Sequence, residues 1–237
     1  MKFRPRRPLL TWAVAAAAAC AVLPGPSAIA AAVEPIAAEY AIRWNARDGG
    51  PGSGGATLAI LDMRARQPVQ FKVDYYDVAA PPAAPQGFTT ILRRRIDDAG
   101  RSELTFKLRG DRAVEEWSCP LRNVRQTKIE VDVTFGGAEN GVRTYSYSCT
   151  SADTEPASDL NAKLRTCSAD VKRWEQGRLK VEEWRLAGDV VIIEVSGSGT
   201  NTPDAREKFR ERVTAPLLAA GIVPSASSKT ELGSRCR

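Results

Sequence analysis

The sequence predicts an α+β fold dominated by strands: a closed or nearly closed antiparallel β-barrel of about eight strands, with two or more helices packed outside. Three observations predict it. Period-two patterning dominates from residue 38 onward. Two segments with helical spacing come late in the chain. The polar faces of several strands are strongly charged, and closing the sheet would give those charges an interior.

The first residues stand apart from this pattern. "MKFRPRR" is a basic start, "PLLTWAVAAAAACAVLP" an apolar run, and "SAIAAAV" a small-residue cleavage site after Ala30 or Ala32. These features predict a signal peptide over residues 1–32, a single domain over residues 33–237, and export to a periplasmic or extracellular space. Pro24 and Pro26 interrupt the apolar run, so no stable membrane anchor is expected once it is removed.

The formal net charge of the whole chain is +6. Lys2, Arg4, Arg6 and Arg7 all precede the first acid, Glu34, so cleavage leaves 30 basic against 28 acidic residues, a net of +2. A chain so nearly neutral gains little general affinity for nucleic acid. Any anion preference must come from local patterning.

With Cys20 in the leader, Cys119, Cys149, Cys167 and Cys236 remain, and an even number in an exported chain reads as two disulfides. Of the three connectivities, Cys119–Cys149 and Cys167–Cys236 are expected, the second tying down the tail. The sequence has no histidine, which excludes a Ser-His-Asp triad, a Cys–His pair and His-ligated zinc or copper. No zinc, haem or nucleotide cofactor is indicated.

The elements follow in order. "AEYAIRWN" (38–45) alternates, "GGPGSGG" (49–55) breaks the pattern as a flexible loop, and "ATLAILDM" and "VQFKVDYYD" read as the next strands before a Pro-rich loop at 81–87. "ILRRRI" and "ELTFKLRG" form a hairpin around "DDAGR". "TKIEVDVTF" and "VRTYSYSCT" form a second around "GGAENG", and "RLKVEEWRL" and "DVVIIEVSG" a third around "AGD". Leu160, Leu164, Cys167 and Val171 predict a helix over 158–177. A second is predicted over 202–221, with Thr202 as N-cap, Pro203 at the first helical position and Pro216 kinking or shortening its last turns.

Apolar faces such as Leu104, Phe106 and Leu108 lie opposite charged ones. Arg93 and Arg95 share one face, as do Glu103, Lys107 and Arg109, and Lys128, Glu130 and Asp132. Glu39 and Arg43 share a face of the first strand, and Glu194 lies beside Ser196 on the last. One such strand reads as a solvated face. Repetition across five strands points to a polar interior in which cations grip a phosphate-like anion and acids hold a metal.

These residues resemble the CYTH-type triphosphate-tunnel family of triphosphatases and class IV-type adenylate cyclases. "VDYYDV" (73–78) is similar to its Asp-x-Tyr-Phe-Asp segment, "ILRRR" to its Leu-Arg-x-Arg strand and "LTFKLRG" to its Leu-Thr-x-Lys-Gly strand. "KIEVDV" and "VIIEVSG" look like its acidic strands and "SKTELG" like its Ser-Lys tail, in an order that agrees over about residues 38 to 233. The resemblance implies an antiparallel β-tunnel that binds a triphosphate or polyphosphate with Mg²⁺ or Mn²⁺. Arg43, Arg93, Arg95, Lys107, Arg109 and Lys229 would contact the anion, and Glu39, Glu130, Asp132 and Glu194 the metal.

The family's N-terminal Glu-x-Glu-x-Lys strand is matched by "EYAIR": Glu39 is kept, Ala41 replaces the second Glu and Arg43 the Lys. Alanine cannot ligate a metal, and arginine cannot become a neutral base near physiological pH. An exported protein binding a small phosphorylated or polyanionic ligand, with residual metal-dependent phosphohydrolase activity, is therefore expected. An active Mg²⁺- or Mn²⁺-dependent triphosphatase is the first alternative, and a disulfide-stabilised secreted β-protein with a structural or protein-interaction role the second. Trp44, Trp117, Trp174 and Trp184 are expected to pack, and Asp74 and Asp77 to serve at a turn or strand end.

Overall fold

The computed structural model describes residues 36–227 except 65, 82–83, 115–116 and 137–140, and excepting the side chains of 164–167. The leader, Lys229 and Cys236 lie outside the described residues, as does the Cys167 side chain. Among the described residues the strands are β1 (Ala37–Asn45), β2 (Val69–Asp77), β3 (Thr89–Asp97), β4 (Ser102–Gly110), β5 (Val124–Phe135), β6 (Val142–Ser151), β7 (Lys163–Gln176), β8 (Leu179–Arg185) and β9 (Val191–Thr200). They close into one barrel in the order β1-β5-β6-β4-β3-β2-β7-β8-β9.

The predicted β-dominated closed barrel is thus present, with nine strands instead of eight. It is also mixed and not wholly antiparallel. β1 pairs antiparallel with β9 but parallel with β5, Glu39 standing opposite Asp132. Closing the ring requires the first strand to meet a strand far along the chain, and direction is then set by topology and not by a hairpin.

Two element assignments are corrected. "ATLAILDM" contributes to a helix, α1 (Gly54–Ile60), because Ser53 caps it: its Oγ accepts from Ala56 N, and Thr57 donates back to Ser53 O. The end of the glycine-rich loop is therefore the helix start. The segment expected as a helix over 158–177 is mostly β7, which pairs with β2 on one side and β8 on the other. Ala169, Val171 and Arg173 fit a period of two as well as Leu160 to Val171 fit a helical one, and two flanking strands decide between them.

The late helix forms in pieces, α2 (Pro203–Phe209) and α3 (Ala215–Ala219) joined by a π-helical turn at Arg210–Thr214. Thr202 caps it, accepting from Ala205 N. Pro216 has no N–H, and the widened turn just before it, closed by Ala215 N donating to Arg210 O, makes room for its ring.

The main apolar packing lies outside the barrel. Tyr40, Ile42, Trp44, Val133, Val195 and their neighbours face outward and are covered by Phe209, Val213, Leu217 and Ile222 from α2, the π turn, α3 and the chain beyond. Each such fully buried side chain contributes about 1.5–3 kcal/mol. A second outer cluster, including Leu92, Leu104, Phe106, Leu108 and Tyr147, packs against Val114, Trp117, Cys119 and Leu121. The Cys119–Cys149 disulfide pins that segment to β6, as expected.

The third cluster occupies inward-facing positions: Phe71, Val73, Tyr75, Ala169, Val171, Trp184 and Ile192 fill part of the barrel's interior on the β2–β7–β8–β9 side. Trp44 and Trp184 pack as expected, though Trp184 also borders the central cavity. Asp74 is not a turn residue. It is buried on the outer face of β2, accepting from Ser168 Oγ at 2.6 Å and Arg94 Nη2 at 2.9 Å. Burial opposes its charge, but Ser168 and Arg94 hold its carboxyl below the usual range. Asp77 is the last, exposed residue of β2.

A charged tunnel as the candidate functional site

The period-two faces converge on one cavity of about 820 Å³ inside the barrel. Arg43, Arg93, Arg95, Lys107, Arg109, Lys128, Arg173 and Lys180 line it against Glu39, Glu103, Glu130, Asp132, Glu182 and Glu194, eight basic residues against six acidic. Every described residue expected to touch anion or metal lies on this lining.

Position follows from strand register. Lys107 of β4 stands opposite Ser148 of β6, which stands opposite Lys128 of β5; one row along, Arg109, Ser146 and Glu130 repeat the arrangement. On β1, alternation brings Glu39, Ala41 and Arg43 inward.

Glu39, Glu130 and Asp132 come together, each offering one oxygen, with those atoms within 4.8 Å of one another. Glu130 and Asp132 are buried, and Glu130 Oε2 and both Asp132 carboxylate oxygens have no aligned hydrogen bond. Charge contacts partly balance them: Arg109 Nη2 lies 2.7 Å from Asp132 Oδ2, and Lys128 pairs with Glu130. Burial, then the neighbouring Glu39 and Asp132 charges, push the Glu130 carboxyl up.

An all-carboxylate donor set suits a hard divalent cation such as Mg²⁺ or Mn²⁺. Glu39, Glu130 and Asp132 would hold such an ion, each through one carboxylate oxygen. The loss of a carboxylate at Ala41 does not prevent this convergence, because Asp132 stands beside Glu39 across the parallel β1–β5 pair.

Glu194, expected with the metal ligands, is not part of the trio. Its Oε2 accepts from Arg43 Nε at 2.8 Å, and Arg43 Nη1 donates to Ser227 O at 3.2 Å. Arg43 is therefore committed to the wall and to the segment after α3, where Ala226 borders the cavity.

Lys107 and Arg95 are costly to hold charged, whereas burial at Arg109 and Lys128 is outweighed by the surrounding acids, which hold those two above their usual values. Burial, then the nearby Arg109 and Arg93, lower the Lys107 ammonium below its usual value, although Asp132 and Glu39 counteract this. Burial, with Arg93 and Arg173, likewise lowers Arg95, against the pull of its partner Glu103. The guanidinium carbons of Arg95 and Arg173 lie 5.0 and 5.3 Å from the Phe71 ring centroid, and Trp184 Nε1 donates to Glu182 Oε2 at 3.0 Å.

Lys128, Arg173, Lys180 and Glu182 were not singled out as site residues from sequence. Lys128 was visible in "KIEVDV" and Glu182 in "VEEW", where alternation alone points them inward. Arg173 was hidden by the helical reading of its segment.

Fold and site together define a class: a closed mixed β-barrel enclosing a charged, partly ion-paired tunnel. No protein-family model matches the chain, and no curated protein does. Solved structures with a similar arrangement include the PH1819 protein of Pyrococcus horikoshii, at 11% identity and a TM-score of 0.48 over 82% of this chain and 97% of that one. A Vibrio parahaemolyticus protein provisionally assigned as an adenylate cyclase is 14% identical, with a TM-score of 0.47 over 84% and 98%. A Hippeastrum protein provisionally assigned as an adenylyl cyclase, with a dominant triphosphatase activity, is 15% identical, with a TM-score of 0.45 over 82% and 93%. The chemistry of the tunnel has to be read from its own residues.

Proposed function

We propose that this is a CYTH-type tunnel protein that binds a triphosphate-like anion together with Mg²⁺ or Mn²⁺, and that slow hydrolysis of a phosphoanhydride is the reaction it supports. The observation that carries the proposal is the convergence of Glu39, Glu130 and Asp132 in one cavity with Arg93, Lys107 and Arg109. In this reading Glu39, Glu130 and Asp132 hold the cation. Arg93, Arg95, Lys107 and Arg109 bind and orient the anion, neutralising charge that grows on its oxygens. The metal, when bound, supplies Lewis acidity and a more acidic water. Arg43 holds Glu194 and Ser227 and takes no proton, which limits hydrolysis and favours tight binding over turnover.

The Cys119–Cys149 disulfide and the leader-like first residues support work in an oxidising, extracytoplasmic space. Lys229, outside the described residues, remains a proposed contact from its Ser-Lys motif alone.

The test pairs two measurements on the chain without residues 1–32. Tripolyphosphate should raise the thermal midpoint, and phosphate release should appear with Mg²⁺ or Mn²⁺ and vanish with EDTA. Lys107→Ala should reduce both the shift and the release by at least about tenfold in affinity or rate, the scale of one charge-assisted contact. A thermal midpoint indifferent to tripolyphosphate, in wild type and in an Arg93→Ala/Arg95→Ala variant alike, would sink the reading.

A further inference from the structure

Two cations beside the acid trio are placed to serve two partners. Arg109 Nη2 lies 2.7 Å from Asp132 Oδ2 and Lys128 pairs with Glu130, while Asp132 Oδ1 and Arg109 Nε are buried without a hydrogen bond. A divalent ion entering the trio would replace the Coulomb attraction that each cation supplies to its carboxylate.

The released side chains have somewhere to go. Lys128 shares its cross-strand row with Ser148 and Lys107, and Arg109 shares the next with Ser146 and Glu130. Only serines stand between the two cationic strands on these rows, so β6 offers no bulk against a long side chain swinging across it. The Lys128 side chain is 43% exposed, so its stem is not locked by packing on every side. Both cations face the cavity that also holds Lys107.

We propose that Arg109 and Lys128 are exchangeable counter-ions: without ligand they neutralise Asp132 and Glu130, and when a divalent cation takes those carboxylates they turn to the polyanion, so that metal and anion tighten each other's binding. This rests on the tunnel reading above and deepens it by naming how its two ligands are coupled. By linkage, whatever factor the metal adds to anion affinity the anion must add to metal affinity.

Mn²⁺ binding to the leaderless protein, followed by electron paramagnetic resonance, tests the coupling without relying on turnover. Sulfate is the anion probe, because it chelates free Mn²⁺ far less than tripolyphosphate does. In wild type, saturating sulfate should tighten Mn²⁺ binding at least about fivefold, the low end of usual coupling factors. Lys128→Met should bind Mn²⁺ more tightly than wild type without sulfate, having lost the competing ammonium, and should lose most of the sulfate effect. Lys128→Gln provides the same comparison with a polar stem.

Wild-type Mn²⁺ affinity indifferent to sulfate overturns the proposal, and that measurement needs no variant. A sulfate effect that persists in full in both Lys128 variants overturns the exchange role of Lys128. Absence of Mn²⁺ binding in wild type overturns this proposal and the metal half of the proposed function together. Tripolyphosphate thermal shifts in EDTA then decide the anion half separately.

Discussion

Arg43 and Glu194 stand directly opposite each other on β1 and β9, joined by an Nε–Oε2 hydrogen bond of 2.8 Å, and both are buried. The second arm of the guanidinium holds Ser227 O, so one side chain ties the tunnel wall to the chain beyond α3. A lysine has no fork with which to hold both. Arg43 thus has a structural role here that a lysine could not fill.

Removing one partner strands the other's charge inside the barrel. Glu194→Gln should cost about 3–5 kcal/mol, the range for breaking a buried pair from one side. Arg43→Lys should cost less, about 1–2 kcal/mol, since an ammonium still reaches the carboxylate and only the Ser227 hydrogen bond is lost. Urea denaturation with an unchanged m-value measures both. A Glu194→Gln loss below about 1 kcal/mol would mean that the pair contributes little beyond packing.

Ala41 faces the tunnel, opposite Thr134 on β5 and Ser196 on β9, with Glu39 two residues before it on the same face. Ala41→Glu adds a fourth carboxylate near three that already repel. In EDTA the variant should be about 1–3 kcal/mol less stable than wild type. Excess Mg²⁺ should recover that loss and raise the thermal midpoint more than it does for wild type. A variant equally stable with and without Mg²⁺ would argue that the added carboxylate does not join the site.

Much of this site was legible in the sequence, and the missing parts share one cause. The alternation in "ILRRRI" and "ELTFKLRG" is local, and it places Arg93, Arg95, Lys107 and Arg109 on the tunnel wall. What stayed hidden depends on partners distant in the chain. The parallel β1–β5 contact sets Asp132 beside Glu39 across more than 90 residues, and no local pattern encodes direction. The β7 segment is a strand because β2 and β8 flank it, although its own leucines fit a helix. α1 was obscured because its cap, Ser53, sits inside a glycine-rich stretch. The apolar fill around Phe71 and Trp184 was missed because tunnel-facing positions were expected to be polar.

Glu130 makes the ligand-free protein sensitive to pH. Burial and the charges of Glu39 and Asp132 raise its carboxyl above the unfolded value. A carboxyl raised on folding contributes stability that is fully present below its unfolded pKa and is lost as pH rises through the folded one. Stability in EDTA should therefore decline as pH rises from the ordinary carboxylate range, and Glu130→Gln should flatten that decline. Mg²⁺ should reverse the trend, because it binds only the ionised carboxylates. Thermal midpoints from pH 4 to 8, with and without Mg²⁺, provide the check; parallel profiles for wild type and Glu130→Gln would refute the assignment.

The Cys119–Cys149 bond closes a span of 30 residues and holds Trp117, Cys119 and Leu121 over the outer face of β4 and β6. Val114 N donates to Tyr147 Oη at 2.7 Å, and the Trp117 and Tyr147 rings lie 6.1 Å apart, so the same segment is held at three points. Losing the cross-link should cost about 2–4 kcal/mol, the scale for a loop of that length. Because Cys149 is fully buried among apolar side chains, the suitable variant is Cys119→Ser/Cys149→Ala, which puts no hydroxyl into that cluster. The damage should be local: faster hydrogen exchange at Val114 and a shift in Trp117 fluorescence. The tunnel lies on the opposite face of these strands, so tripolyphosphate affinity should change less than twofold while the unfolding midpoint falls. A large loss of affinity alongside the stability loss would mean that the outer clamp fixes the register of β4 and β6, and with it the spacing of Lys107, Arg109 and Glu130.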